Sequence, residues 1–288
     1  MSGPATLADS LRLLQERGLP RLEAQMLVLQ AIGRPPEDRA WLLAHDEQVL
    51  TPAQSQELIR SSQRRLDGEP MAYILGVKAF HGLTLSIDGR VLDPRDDTET
   101  LVDWALEVGA PQQALDVVDL GTGSGAIALA LAQARPAWRV SGVDASTDAL
   151  AVARHNAQRL GLKVSWTLGS WLSPLAGRRH HLIVSNPPYI AEGDPHLAGL
   201  RHEPREALVS GPDGLDDLRQ IIQAAPEHLH AGGWLLLEHG HDQAAAVRKL
   251  LRQAGLEAVS SRRDLAGIER CSGGHWPAKQ GFASREII

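Results

Sequence analysis

From about residue 114 the chain alternates short apolar runs with amphipathic stretches, and this alternation limits the possible folds more than any other feature. Strands are expected at Ala114–Leu120, Arg139–Asp144, Lys163–Leu168, His181–Ser185 and Gly233–Glu238. Helices are expected over the Ala/Leu-rich stretch after Gly125, over Asp148–Leu160, near Leu215–Leu229 and from about Asp242 to Ala254. A last pair of strands is expected near Glu257–Ser261 and Glu269–Gly273. Apolar strands that each lead into a helix bury both of their faces only in a mostly parallel sheet covered on both sides. The expected fold class is α/β, with a doubly wound sheet.

Upstream the pattern differs. Residues from about 5 to 75 read as helices and short turns, with apolar stripes at Leu7, Leu11, Leu13 and Leu14, and at Leu22, Met26, Leu27, Leu29 and Ile32. Thr51-Pro52-Ala53-Gln54 has the form of a helix start: Thr51 as N-cap, Pro52 at the first helical position and Gln54 closing a capping box. That helix is expected to run to Leu66 and to stop at Gly68. Phe80–Ile87 and Arg90–Leu92 then read as two strands joined by an Asp88-Gly89 turn. The expected division is a helical domain over 1–75, a linking β-hairpin over 76–93 and a catalytic domain over 94–288.

Composition bounds the function. The chain has 288 residues, 43% of them hydrophobic, with a formal net charge of −6. An acidic balance argues against a broad basic face for a phosphate backbone. Cys271 is the single cysteine, which excludes an internal disulfide and a Cys-pair zinc site. Around the paired histidines His228/His230 and His239/His241 no Cys or carboxylate completes a plausible ligand set, so no metal is expected. No signal peptide or membrane-length apolar run is read from the chain, and a cytoplasmic location is expected.

Val117-Val118-Asp119-Leu120-Gly121-Thr122-Gly123-Ser124-Gly125-Ala126 is a buried strand ending in alternate glycines at the mouth of a helix. Glycines permit the tight turn and close approach of a ligand, and the helix N-terminus offers free N–H groups. Asp144, at the end of the next strand, is placed to accept ribose hydroxyls. The loop also satisfies a dinucleotide fingerprint. Asp119 tilts the balance toward S-adenosyl-L-methionine, because a carboxylate behind the loop favours an ammonium and a sulfonium over a pyrophosphate.

The second motif, Asn186-Pro187-Pro188-Tyr189, follows another strand of the same set, so both motifs face one edge of the sheet. A planar amide or amine nitrogen is a poor nucleophile. The Asn186 side-chain oxygen and a backbone carbonyl, that of Pro187, are suited to accept its two N–H hydrogens, with stabilisation growing as charge develops on nitrogen. The prolines stiffen the segment, and Tyr189, one of two tyrosines in the chain, offers a flat stacking face.

With these motifs the chain resembles the protein-(glutamine-N5) methyltransferases that modify peptide chain release factors. The resemblance extends over Gly68-Glu69-Pro70, Ala72–Gly76, Phe80 with Gly82-Leu83, Val91-Leu92, Pro94-Arg95, Thr98-Glu99, Asp119–Ala130, Asp144, Ser185–Ile190, Glu203-Pro204-Arg205, Leu236–Gly240 and Asp264–Gly267 with Arg270. It implies a seven-stranded class I methyltransferase (Rossmann-like) sheet with a small N-terminal helical domain. It also implies cofactor contacts at Gly121, Thr122, Gly123, Ser124, Gly125, Asp144, Trp171 and Asn186, and substrate contacts at Asn186, Pro187, Pro188 and Tyr189, with Asn186 catalytic. The implied partner is a release factor presenting the glutamine of its Gly-Gly-Gln loop to a monomeric enzyme with no direct nucleic-acid binding. The alternatives are a glutamine methyltransferase acting on a ribosomal protein and an adenine-N6 nucleic-acid methyltransferase, which shares the Asn-Pro-Pro-Tyr motif. Three positions depart from the family: Ser170 stands where an acidic residue is usual, Asp96 where proline is, and Asp93 where an apolar residue is.

Overall fold

A computed structural model describes residues 6–278. The chain divides after Lys78 into two compact units. The first is helical: α1 (Leu7–Glu16), α2 (Arg21–Ala31), α3 (Arg39–Ala44), α4 (Pro52–Leu66) and α5 (Met71–Leu75). Its core gathers Leu7, Leu14, Leu27, Val28, Leu29, Leu42, Leu58 and Ile74. Helix α4 starts as its sequence dictates, with the Thr51 hydroxyl accepting from the Gln54 amide and the Gln54 side chain reciprocating. Two expected core leucines face outward: Leu13 and Leu22 are about half exposed. In α1 it is Leu14 that turns inward and is buried, while Leu13, one position round the helix, faces outward.

The hairpin differs from expectation. Its strands are β1 (Val77–Phe80) and β2 (Leu83–Ser86), joined through His81-Gly82 rather than Asp88-Gly89. Both turn residues have positive φ, 44° and 75°, as the tight hairpin turn requires. Gly89 lacks that conformation. At the expected turn the Asp88 carboxylate instead accepts the backbone N–H of Arg90 at 3.0 Å, so this amide is bonded locally rather than to a ladder. Strand β2 is held by Asn156, whose amide exchanges two hydrogen bonds with the Ser86 backbone and donates a third to the Ser124 carbonyl.

After α6 (Glu99–Val108) the second unit builds β3 (Asp116–Leu120), α7 (Ala126–Ala134), β4 (Arg139–Asp144), α8 (Thr147–Leu160), β5 (Ser165–Leu168), β6 (His180–Ser185), α9 (Asp216–His228), β7 (Leu229–Glu238), α10 (Ala244–Gln253), β8 (Glu257–Arg263) and β9 (Glu269–His275). The seven strands lie in the order β5-β4-β3-β6-β7-β9-β8. The first five are parallel, and β9 runs antiparallel to both β7 and β8. The doubly wound seven-stranded sheet read from the sequence is therefore the observed one. Register sets the functional edge: Leu120 lies beside Val143 on one side and Ser185 on the other, so Gly121, Asp144 and Asn186 emerge at one level. The Ser185 hydroxyl donates to the Leu120 carbonyl at 2.7 Å and locks that alignment.

Candidate active site

At the carboxyl edge of β3 the chain turns through Gly121 and Gly123, with φ of 67° and 53°. A Cβ at Gly121 would come within 3.0 Å of the Trp171 indole, so the glycine makes room for that ring. Trp171 itself has φ 48°, a costly conformation for a bulky residue. Its indole N–H donates to Asp217 at 3.2 Å, which helps to hold it there. The Asp144 carboxylate accepts from Gly123 N at 2.8 Å and from Ser146 N at 2.9 Å, tying the loop to the end of β4.

These residues border a cleft of about 540 Å³, whose walls include Gly121, Gly123, Asp144, Trp171, Asn186 and Pro188, a size typical of small-molecule sites. A second cleft of about 330 Å³ is lined by Arg95, Asn186, Tyr189, Ile190, Leu200 and Leu208. Asn186 borders both. Its Nδ2 donates to the Thr98 hydroxyl at 3.2 Å, while its Oδ1 is buried with no partner among the described residues. Orphaned buried acceptors are rare in folded proteins and call for a reason; this one belongs to a residue that borders both clefts, where a ligand can bring a donor.

The remaining expected site residues take other positions. Thr122 and Ser124 are buried, and neither they nor Gly125 lines the cleft. The Thr122 hydroxyl turns back to donate to Asp119 at 2.6 Å, the Ser124 carbonyl takes Asn156, and Gly125, with φ 83°, caps α7. They shape the loop rather than face the cleft. Pro187 is buried, Pro188 borders the larger cleft and Tyr189 the smaller. The segment is fastened downstream: Gln243 donates to the Tyr189 carbonyl at 3.0 Å, and Ile190 exchanges backbone bonds with Leu208 and Ser210.

Asp119 corrects the electrostatic expectation. It is fully buried behind the loop, and burial lifts its carboxyl to about 7 despite the Thr122 hydrogen bond. A group half protonated at neutral pH is not a fixed negative charge. The acidic character of the cleft comes instead from Asp144, Glu206 and Asp217, all in its walls. Burial also raises Asp144, and the Glu206 charge adds to the rise. Ser170 borders the same cleft, so the missing acid at that position does not leave it without carboxylates.

Sequence patterns gave no role to Thr98, Glu203, Asp217 or Glu238. Arg95 donates to Glu203 at 2.6 Å and lies 3.7 Å from Asp93. The acidic Asp93 is thereby accommodated as an ion-pair neighbour. Asp96 is exposed in the first turn of the short 3-10 helix Asp96–Thr98, a favourable place for a carboxylate. At the opposite edge of the sheet, Asp116, His181 and His230 come close enough to hold a cation. His230 therefore does have a carboxylate near it in space, contrary to the sequence expectation. Arg139 already takes both Asp116 oxygens, at 2.6 and 2.7 Å, and His181 Nδ1 accepts the Asp116 N–H.

Residues 99–203 match the family model described as methyltransferase small domain, and residues 6–76 match the PrmC N-terminal domain. The chain is similar to a release factor glutamine methyltransferase of Bordetella pertussis, 53% identical over 91% of this chain and 97% of that one. One from Pseudomonas aeruginosa is 47% identical over 92% and 97% of the two chains. Among solved structures, the T. thermophilus 16S rRNA N2 G1207 methyltransferase in complex with AdoMet and guanosine shares the fold, with a TM-score of 0.53 at 19% identity over 69% of this chain and 49% of that one. Identity of this extent along nearly the whole length settles the relationship: the chain belongs to the release factor glutamine methyltransferases.

Proposed function

We propose that the chain transfers the methyl group of S-adenosyl-L-methionine to the side-chain amide nitrogen of the glutamine in the Gly-Gly-Gln loop of a peptide chain release factor. One observation carries the residue roles: Asn186 borders both clefts with a buried side-chain oxygen that no group among the described residues satisfies. The 540 Å³ cleft suits the cofactor in chemistry as well as size, since its walls carry Asp144, Glu206 and Asp217 for a ligand bearing an ammonium and a sulfonium. Gly121, Gly123, Asp144 and Trp171 would hold it, and bound there it supplies an electrophilic methyl group.

The 330 Å³ cleft receives the glutamine side chain. Asn186 Oδ1 accepts one amide hydrogen, and the Tyr189 ring borders the space in which the planar amide lies. Acceptance strengthens as positive charge builds on the nitrogen, so the bond stabilises the transition state more than the ground state. The fixed Asn-Pro-Pro-Tyr backbone aligns the nitrogen with the methyl donor. Burial raises the Tyr189 phenol well above its ordinary value, so it stays neutral. The surplus proton leaves after transfer, and no general base is needed beforehand.

The deciding experiment incubates the protein with methyl-labelled S-adenosyl-L-methionine and either a release factor, a ribosomal protein fraction or duplex DNA. Label on the Gly-Gly-Gln glutamine is the expected result. Label on ribosomal protein or DNA adenine alone would overturn the assignment.

A further inference from the structure

Glu238 ends β7 behind the two clefts rather than in their walls. Strand β7 runs parallel to β6 with Leu237 beside Ser185, so Glu238 stands level with Asn186. It is 1% exposed, and its Oε2 has no hydrogen-bond partner among the described residues. The hydroxyls of Thr98 and Tyr189 lie close enough to favour its ionised form. A buried carboxyl costs free energy unless something is gained from it, and neither binding role above uses this one.

Thr98 supplies the connection. Thr98 is 3% exposed, and its hydroxyl accepts from Asn186 Nδ2. A hydroxyl has one proton. When that proton points to a carboxylate, only a lone pair remains for Asn186, and the NH₂ end of the amide is the end that fits. Asn186 Oδ1 is then turned away from Thr98, where it is buried and unpartnered. A protonated Glu238 can itself donate to Thr98. The Thr98 proton is then free for the oxygen end of Asn186, and the reversed amide would set its NH₂ against the NH₂ of the substrate.

We propose that Glu238 is a positioning residue: through the Thr98 hydroxyl, its carboxylate holds the Asn186 amide with the oxygen toward the substrate nitrogen. The proposal rests on the clamp role given to Asn186 above. Burial raises the Glu238 carboxyl to about 7, with Asp97 pushing the same way and Arg270 opposing. The groups around it are Asp97 beside Thr98, Tyr189 after β6, and Arg270 and Cys271 on β9, where Cys271 pairs with Glu238 in the sheet. Charge at Glu238 therefore forms in the neutral range, and the clamp sets as it forms.

The test measures methyl transfer from labelled S-adenosyl-L-methionine to a release factor between pH 5.5 and 9, with cofactor affinity measured by calorimetry. Thr98→Val, nearly isosteric, and Glu238→Ala are expected to lower kcat by about 10- to 100-fold while cofactor Kd stays within about threefold. Glu238→Gln retains an acceptor oxygen for Thr98. It should recover most of the turnover and lose the acid limb expected near pH 7 for the unaltered protein. Thr98→Val turnover within twofold of normal, or a Glu238→Gln pH profile superimposable on the normal one, would overturn the proposal. Asn186→Ala, run in parallel, separates the two claims. If that variant keeps its activity, the clamp itself fails; if it is inactive while Thr98→Val and Glu238→Gln behave normally, the role of Glu238 alone falls.

Discussion

The two edges of the central sheet both collect ionisable side chains, and they treat them in opposite ways. At the amino edge, Asp116 is gripped by the Arg139 guanidinium, which holds its carboxyl below the usual range. His180, buried at the start of β6 with its Nδ1 unpartnered among the described residues, is pushed down by burial to about 4 and so carries no charge. At the carboxyl edge the carboxyls of Asp119, Asp144 and Glu238 are all raised by burial, and Asn186 keeps an unsatisfied oxygen. Paired surface charge costs little and does little. Buried carboxyls with too few partners lower stability whenever they ionise, and strongly perturbed carboxyls gathered beside a cleft are the pattern of a functional site.

If the contrast is real, substitutions at the carboxyl edge dominate function. Asn186→Ala is expected to cut turnover by about 10²- to 10³-fold, in the range for loss of one transition-state hydrogen bond, with cofactor binding still measurable by calorimetry. Turnover within threefold of normal would remove the clamp from the mechanism. Asp144→Ala strips the loop of its bonds to Gly123 N and Ser146 N. Each bond to a charged acceptor is worth about 1.5–3 kcal/mol, so cofactor affinity should fall by about 10- to 100-fold. An unchanged Kd would show that the loop does not need this anchor.

Much of this edge was legible in advance because it is local in sequence. The glycine loop, Asp144 and Asn186 each sit at a strand end, and apolar runs announce strands whatever their partners. The capping box at Thr51 and Gln54 was legible for the same reason. The hairpin was misplaced because Asp88-Gly89 is a frequent turn pair, whereas His81-Gly82 takes its positive φ angles with little signal in residue type. Thr98 and Glu238 fell within resembling stretches but took no role from them, because their meaning lies in a meeting between distant segments that only the sheet register brings about. Asp119 looked like a charge near a ligand, and only burial reveals that its proton is nearly balanced at neutral pH.

Asp119 also gives a smaller test of the same contrast. Its folded-state value is raised from 3.8 to about 7 by burial, so ionising it costs stability. That cost is absent below about pH 3.8, grows as pH rises toward 7, and is complete above it. Asp119→Asn should therefore stabilise the protein at pH 8 by on the order of 4 kcal/mol and leave it unchanged near pH 4, as read from urea midpoints. Cofactor affinity should fall by less than for Asp144→Ala, because Asp119 does not line the cleft. A larger loss of affinity in Asp119→Asn would return the charge-matching role to Asp119.

The smallest effect belongs to the amino edge, and it is the most direct attempt to break the contrast. Asp116 has both oxygens committed to Arg139, and the Arg139 side chain is 61% exposed. Removing the pair strands no buried charge, and water replaces each lost bond. Asp116→Ala and His230→Ala should leave turnover, cofactor Kd and the shape of the pH profile as they are, with or without a chelator in the assay. A chelator-sensitive loss of activity would mean that Asp116, His181 and His230 hold a cation that matters, and the division of labour between the two edges would then be wrong.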